Sequence, residues 1–454
     1  MTQHQQRPNI VLITCHDLGR HLGCYGVATV RTPNLDQLAA EGMRFERAFC
    51  TAPQCSPSRA SLFTGRYPHS NGVMGLTHAE FGWDLHEDEL HIAQALRERG
   101  YRTGIVGLHH EARSVERCGF QDIVPQGRGD EMSAQAIALM TTYILQQQPF
   151  YLQIGYHEPH RAPSPDQDAS LTMGFLNDYL EPDDSRGVTI PPWLRDEPAT
   201  REELAELQGA IHYLDEAVGS LLHGLSELGI AEDTLVIFTT DHGLAFPRAK
   251  CSLYDPGIEV AMLVQMPARG WTGGQVVSPF VSNIDLFPTL LELAGCAVHE
   301  TVQGRSLTRL LNGETNQHRD DVFSEMTYHD YYHPQRAIRT EGHKLIVNFS
   351  NAPSFMDPSQ SWRRRTRPIV PEAPATAYTP PVELYDLDSD PLEWTNLADE
   401  TAHASLRDDL LTRLGGWMRE TGDPLLDGAV TPPRHRCAIS LIADASRSTS
   451  ESSL

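Results

Sequence analysis

Four short apolar runs in this chain end in the same kind of residue. "NIVLIT" leads into Cys15-His16-Asp17 and "TGIVG" into Leu108-His109-His110. "PFYLQIGY" leads into His157-Glu158-Pro159-His160, and "TLVIFTT" into Asp241-His242. Runs this short and rich in Val, Ile and Leu read as buried strands. Between them lie helical spacings. One is "TPNLDQLAAEGMRF", with Leu35, Leu38 and Ala39 on one face behind a Thr-Pro start; another is "LAELQGAIHYLDEAVGSLLHGLSELG". Alternating strands and helices constrain the chain to an α/β fold, a mostly parallel sheet covered by helices on both faces. Ligands of such sheets bind beyond the carboxyl ends of the strands. The four polar clusters are therefore expected to meet at one site.

Asp17, Asp241 and His242, with His16 as a further ligand, form a set able to hold a divalent cation. Carboxylates alone favour hard Ca²⁺ or Mg²⁺, whereas imidazoles shift the preference toward transition metals. A separate segment, "PQCSPSRASLFTGRYPHSNGV" (53–73), holds a cysteine among small and turn-forming residues, with Arg59 and Arg66 close behind. A cysteine kept for packing sits more often in an apolar run. By its surroundings alone, Cys55 reads as a metal ligand, a nucleophile, a disulfide partner or a precursor of something else.

The chain has 454 residues and a formal net charge of −24, a length that fits two or three domains. The charge argues against nucleic-acid and anionic-membrane partners, both of which demand surplus Lys and Arg. It does not argue against a small anionic substrate held by a local cluster of cations. "MTQHQQRPN" is polar and the run behind it is too short for a bilayer span or a signal segment. A cytoplasmic protein is the expectation, with the eight scattered cysteines as free thiols.

"CSPSRASLFTGR" resembles the signature of the sulfatases, Cys-x-Pro-x-Arg followed by Leu-x-Thr-Gly. "TPNLDQLAAEGMRFERAF", "GYRTGIVG", "HEPHRAP", "FTTDHG", "LYDPGIEV", "IDLFPTLLELAG" and "ELYDLDSDPLEWTNLA" are similar to sulfatase segments and stand in sulfatase order. Within the family, "CSPSRASL" and "PHR" are most like the heparan N-sulfatase (N-sulfoglucosamine sulfohydrolase) branch. The resemblance implies an alkaline-phosphatase-like mixed sheet sandwiched by helices, with a smaller C-terminal α+β domain. It also implies hydrolysis of a sulfate ester or sulfamate of a sulfated sugar or small organic sulfate.

Under that resemblance Cys55 is oxidised by a formylglycine-generating enzyme to an aldehyde, whose hydrate carries two hydroxyls. One attacks sulfur; the other then expels sulfate, so that release is intramolecular. Asp17, Asp241, His242 and the modified Cys55 match the metal ligands. Arg59 matches the residue that holds the nucleophile and neutralises charge, and His110 the base for the second hydroxyl. His157 and Lys250 match the pair that binds sulfate and assists the leaving group. His109, His160, His329 and Arg336 are further substrate-binding candidates, the last two within "YHDYYHPQRAIRT" (328–340).

Three positions depart from the family pattern. His16-Asp17 stands where Asp-Asp is common, Asp241-His242 where Asp-Asn is common, and Leu108 where a lysine precedes the histidine. An Asp-His pair also occurs in formylglycine-dependent phosphonate monoester and phosphodiester hydrolases, and a non-catalytic metal-binding relative is a third alternative. The lost lysine could be replaced in part by His109. Residues 1–335 are expected to form the catalytic domain, 336–440 a smaller domain with an antiparallel sheet and a helix, and 441–454 a disordered tail. The basic cluster Arg363–Arg367 reads as a solvated loop or as a lid over the site. A homo-oligomer is compatible with all of this.

Overall fold

The structure, a computed structural model, describes residues 7–163, 173–352, 366–369 and 378–451. Its centre is an eight-stranded mixed sheet. In spatial order the strands are Gln275–Val277, Met43–Phe45, Met262–Gln265, Thr234–Thr240, Asn9–Cys15, Phe150–Gly155, Arg102–Gly107 and Asp122–Val124. Strand Asn9–Cys15 lies between Thr234–Thr240 and Phe150–Gly155 and is parallel to both. Arg102–Gly107 continues the parallel run, while Met262–Gln265 is antiparallel to its two neighbours.

The central strands are buried along nearly their whole length, as expected of parallel strands covered on both faces. Side-chain alternation splits them between two cores. Ile10, Leu12, Leu235 and Ile237 point to the face that packs the helices Cys55–Thr64, Ile92–Glu98 and Leu286–Leu293. Val11, Ile13, Val236 and Phe238 point to the face of Pro33–Glu41, Gly129–Leu145 and Pro198–Glu227. The four polar strand ends meet because of register. Thr14 pairs with Gly155, Cys15 with Thr240, and Gly107 with Gly155. Residues 16–17, 108–110, 156–160 and 241–242 therefore leave the sheet along one edge.

A four-stranded antiparallel sheet follows, Asp321–Tyr328, Tyr332–Thr340, His343–Asn348 and Val382–Asp386 in sequential order. It packs against helix Ala404–Thr421 through Ile338, Leu345, Leu384, Leu410, Leu414 and Trp417. The sheet starts before the expected boundary: position 336 lies inside a strand, because the turn at 329–331 folds two strands on each other. Residues Pro433–Glu451 form a helix, where an unordered tail is expected from 441. The C-terminal sheet grips the segment before Cys55. Glu325 N donates to Thr51 O at 2.8 Å, Ser324 Oγ to Cys50 O at 2.7 Å, and Gln54 Nε2 to Tyr328 O at 2.9 Å.

Between the two sheets Asp285 is fully buried and accepts from Ser282 N, Arg305 N, His318 Nε2 and the Arg319 guanidinium. Burial opposes its ionisation, yet Arg319 and these donors hold the carboxyl well below the usual range. A depressed carboxylate contributes stability above its unfolded value, near about 4, and loses it as pH falls. Asp285→Asn is expected to cost about 3–5 kcal/mol near neutrality by leaving Arg319 buried without its counter-charge. Urea unfolding at descending pH checks this: the gap between variant and parent should narrow in acid.

Candidate active site

Cys55 is the first residue of helix Cys55–Thr64, with Gln54 extended before it, and all ten helical residues are buried. A helix with three serines and an arginine tolerates such burial because nearly every polar group is used. Ser58 Oγ donates to Asp241 O at 2.6 Å. Arg59 reaches across the sheet edge, with Nε on Asp241 Oδ2 at 3.1 Å, one terminal nitrogen on Thr14 Oγ1 and the other on Cys15 O, both at 3.0 Å. These bonds fix where Cys55 stands: at the positive end of a helix dipole, facing the ends of two central strands.

Around it, Asp17 sits in the left-handed region at φ +52°, a conformation disfavoured outside glycine and found at functional turns. Its backbone N–H donates to Asp241 Oδ1 at 3.0 Å. Its carboxylate meets Lys250 Nζ at 2.9 and 3.0 Å and His242 Nε2 at 3.1 Å. Cys55 Sγ lies 3.3 Å from His242 Nε2 and 4.0 Å from Asp17 Oδ1. His16 Nδ1 lies 2.9 Å from Asp241 Oδ2 but lacks hydrogen-bond geometry, leaving a buried nitrogen unpaired against a carboxylate.

Two overlapping sets, His16/Asp17/Cys55/His160 and Asp17/Cys55/Asp241/His242, bring their donor atoms within 4.8 Å of one another. A mixture of buried carboxylate oxygens and imidazoles, one with an orphaned nitrogen, fits a divalent cation. His160, expected on the substrate side, belongs to one of these sets.

Charge is sorted by depth. Burial opposes ionisation of Asp17 and Asp241, but Lys250, His160, His242, His16 and Arg59 hold both carboxyls down. Burial likewise opposes ionisation of the Cys55 thiol, while Lys250, His242 and His16 bring it well below the usual thiol range. His16 is pushed up to about 10: burial and Arg59 act against the cation, and Asp241, Cys55 and Asp17 together outweigh them. Nearer the rim the balance reverses. Burial pushes His110 down to about 4, and burial with the nearby His160 and His16 pushes His157 down to about 3.

The rim is a cluster of imidazoles. The ring of His16 lies 4.9 Å from His160, 5.7 Å from His110 and 6.1 Å from His157. His329 is buried beside Asp330, close enough to act electrostatically on His78 at this rim. Two expected residues are elsewhere. His109 meets Cys118 Sγ at 3.4 Å and acts on Glu111, because adjacent residues after a strand point to opposite sides; it does not take the place of the lysine missing at Leu108. Arg336 is fully buried and bonded to Asp423, Met326 O and Thr327, with Glu325 at 3.6 Å, so it ties its strand to the neighbouring strand of the C-terminal sheet and to Asp423 beyond helix Ala404–Thr421. Arg363–Arg365 lie outside the described residues, while Arg367 pairs with Glu197 at 2.8 Å on the surface.

Sequence reading missed Thr77 and His78. His78 Nδ1 lies 2.6 Å from His110 Nε2. The pair follows no strand, and the only local signal is a polar dipeptide after "VMGL".

The chain matches the family model for sulfatases over residues 8–296 and that for the N-sulphoglucosamine sulphohydrolase C-terminal region over residues 242–357. It is 30% identical to the N-sulphoglucosamine sulphohydrolase of Homo sapiens, covering 92% of this chain and 91% of that one. It is 29% identical to arylsulfatase A of Homo sapiens, covering 88% and 85%. Among solved structures, the fold is shared with a phosphonate monoester hydrolase of Agrobacterium radiobacter at a TM-score of 0.65 and 21% identity, covering 91% and 96%.

The donor set makes a direct prediction. Isothermal titration of the full chain with Mn²⁺ or Ca²⁺ should show one site, and Asp17→Asn or Asp241→Asn should weaken it by about 100-fold or more. Near-parental affinity in both variants would exclude these residues as ligands.

Proposed function

The chain belongs to the sulfatase family, whose members are sulfuric ester hydrolases, and on that footing we propose that it hydrolyses a sulfate ester or sulfamate through a formylglycine made from Cys55. The observation that carries this reading is the placement of Cys55: at a helix N-terminus, 3.3 Å from His242 and 4.0 Å from Asp17, with Lys250 on the same carboxylate. Cations in front of two buried carboxylates suit a site that must hold an anionic group and a metal ion together. The likeness to N-sulphoglucosamine sulphohydrolase supports a sulfated amino sugar, N- or O-linked, as the substrate class.

Asp17, Asp241, His242 and His16 would hold the divalent ion, which supplies charge stabilisation and activates an oxygen nucleophile when bound. The remaining roles fall to the chain's own side chains. Arg59 neutralises Asp241 and keeps the helix that carries position 55 against the strand ends. His110, uncharged near neutrality because burial lowers its pKa to about 4, is able to accept a proton from the nucleophile side chain that it faces. Lys250 stays cationic: burial works against it, but Asp17 and Cys55 raise its pKa further. It therefore offers positive charge to a sulfate oxygen before any proton moves. His157 starts neutral, so it takes up leaving-group duty only after an anionic substrate favours its charged form.

A second reading rests on His242. Its Nε2 touches both Cys55 Sγ and Asp17 Oδ1, placing an imidazole where a carboxamide is common in the family. That substitution also suits a phosphonate monoester or phosphodiester. The mass of the tryptic peptide containing Cys55, from protein made in its own source, should show the aldehyde. Steady-state kinetics with p-nitrophenyl sulfate and a phenyl phosphonate monoester then decide the anion, with the larger kcat/KM expected for sulfate. Cys55→Ala should abolish turnover of either. His110→Ala should lower kcat by about 10²- to 10⁴-fold.

A further inference from the structure

His110 Nε2 is held by a residue with no assigned role. His78 Nδ1 lies 2.6 Å from it, while the two ring centroids are 4.6 Å apart and the ring planes differ by 24°. Rings stacked face to face would have nearest atoms at about the centroid spacing. Here the nitrogens approach far more closely, so the rings meet edge to edge and the hydrogen bond lies near both planes.

We propose that His78 is a positioning residue that sets the tautomer of His110, accepting the Nε2–H of that ring through its own Nδ1 and leaving His110 Nδ1 as the basic nitrogen of the site. The inference rests on the sulfatase reading above, in which His110 is a proton acceptor.

The proton inventory supports this direction. A neutral imidazole carries one N–H, so only one of the two facing nitrogens is a donor. If His78 donated, the His110 proton would sit on Nδ1, a buried atom that makes no hydrogen bond. With His110 donating, Nδ1 presents a lone pair, and the His110 side chain interacts with Cys55, the residue whose derivative must lose a proton. His78 is itself held uncharged, chiefly by partial burial, which suits an acceptor.

A second set of contacts fixes the same pair through the backbone. Thr77 Oγ1 donates to His110 O at 3.2 Å, and Thr77 N donates to Ser56 Oγ at 3.2 Å. His110 N donates to the buried Glu111 carboxylate at 2.9 Å, which Gln153 Nε2 holds from behind at 2.8 Å. The dipeptide Thr77-His78 thus ties the first turn of the Cys55 helix to both the main chain and the ring of His110. The logic parallels the carboxylate that orients the histidine of a serine-protease triad, with a neutral ring in the orienting place.

Three variants test the role. Asparagine at 78 places a carbonyl oxygen at the position of Nδ1, glutamine places it one bond farther out, and alanine removes it. On an aryl sulfate, His78→Ala and His78→Gln should lower kcat by about 10- to 1,000-fold with KM little changed, and His78→Asn should recover most of the loss. Parental kcat in His78→Ala, or His78→Asn no better than His78→Ala, overturns the proposal. A readout independent of turnover is the ¹⁵N spectrum of histidine-labelled protein, with the His110 signals identified by their loss in His110→Gln. The parent should show protonated Nε2, and His78→Ala should mix the two tautomers. Protonated Nδ1 in the parent refutes the positioning role whatever the kinetics. Protonated Nε2 without hydrolysis of any sulfate or phosphonate ester refutes the functional reading and leaves this contact standing.

Discussion

The site is organised by the buried ion pair between Arg59 and Asp241. Arg59 lies on the helix that begins at Cys55, and its three named bonds end on Asp241, Thr14 and Cys15. One side chain thereby joins that helix to the ends of two neighbouring parallel strands. Charged groups this deeply buried are destabilising unless paired, so neither partner tolerates loss of the other. Asp241 in turn accepts the Asp17 backbone N–H, which supports the left-handed conformation at Asp17. Geometry at the nucleophile position therefore depends on a charge pair that need not touch substrate.

Beyond that pair, function follows from a gradient of charge. At the bottom, two carboxylates and the Cys55 thiol are held in their anionic forms by Lys250, His242, His16 and Arg59. At the rim, His110 and His157 are held neutral by burial and by the cations below them. Deep groups are thus set for electrostatics and rim groups for proton transfer. Separating the two tasks by depth is what a low-dielectric cleft permits, since interactions there are strong and little screened. The C-terminal sheet takes part by gripping residues 50–55 and by bringing His329 to the rim.

How far the site was legible can be judged residue by residue. Asp17, His110, His157 and Asp241 could be found because each follows an apolar run, and parallel register converts that local signal into a shared edge. His109 shows the limit of the same rule: it is next to His110 yet meets Cys118. Arg336 looked like a substrate contact in a segment rich in Tyr, His and Arg, but its partner Asp423 is far along the chain and invisible to local pattern. His78 follows no strand and carries no spacing signal, so only folding reveals that it touches His110. The C-terminal sheet begins at Asp321, ahead of 336, because a tight turn makes two strands of one sheet where the sequence shows only a loosening pattern.

The sequence by itself determined the alternation of strands and helices, the chemical types at four strand ends and the segment around Cys55. These are encoded by short-range periodicity, which a chain carries whether or not it is folded. Tertiary structure alone decided which side of each strand end a side chain takes, and which distant residue becomes its partner. It set Lys250 on Asp17, Arg59 on Asp241 and His78 on His110. Those pairings depend on separation in space and on local dielectric, and neither quantity exists until the sheet has closed and water has been expelled from its edge.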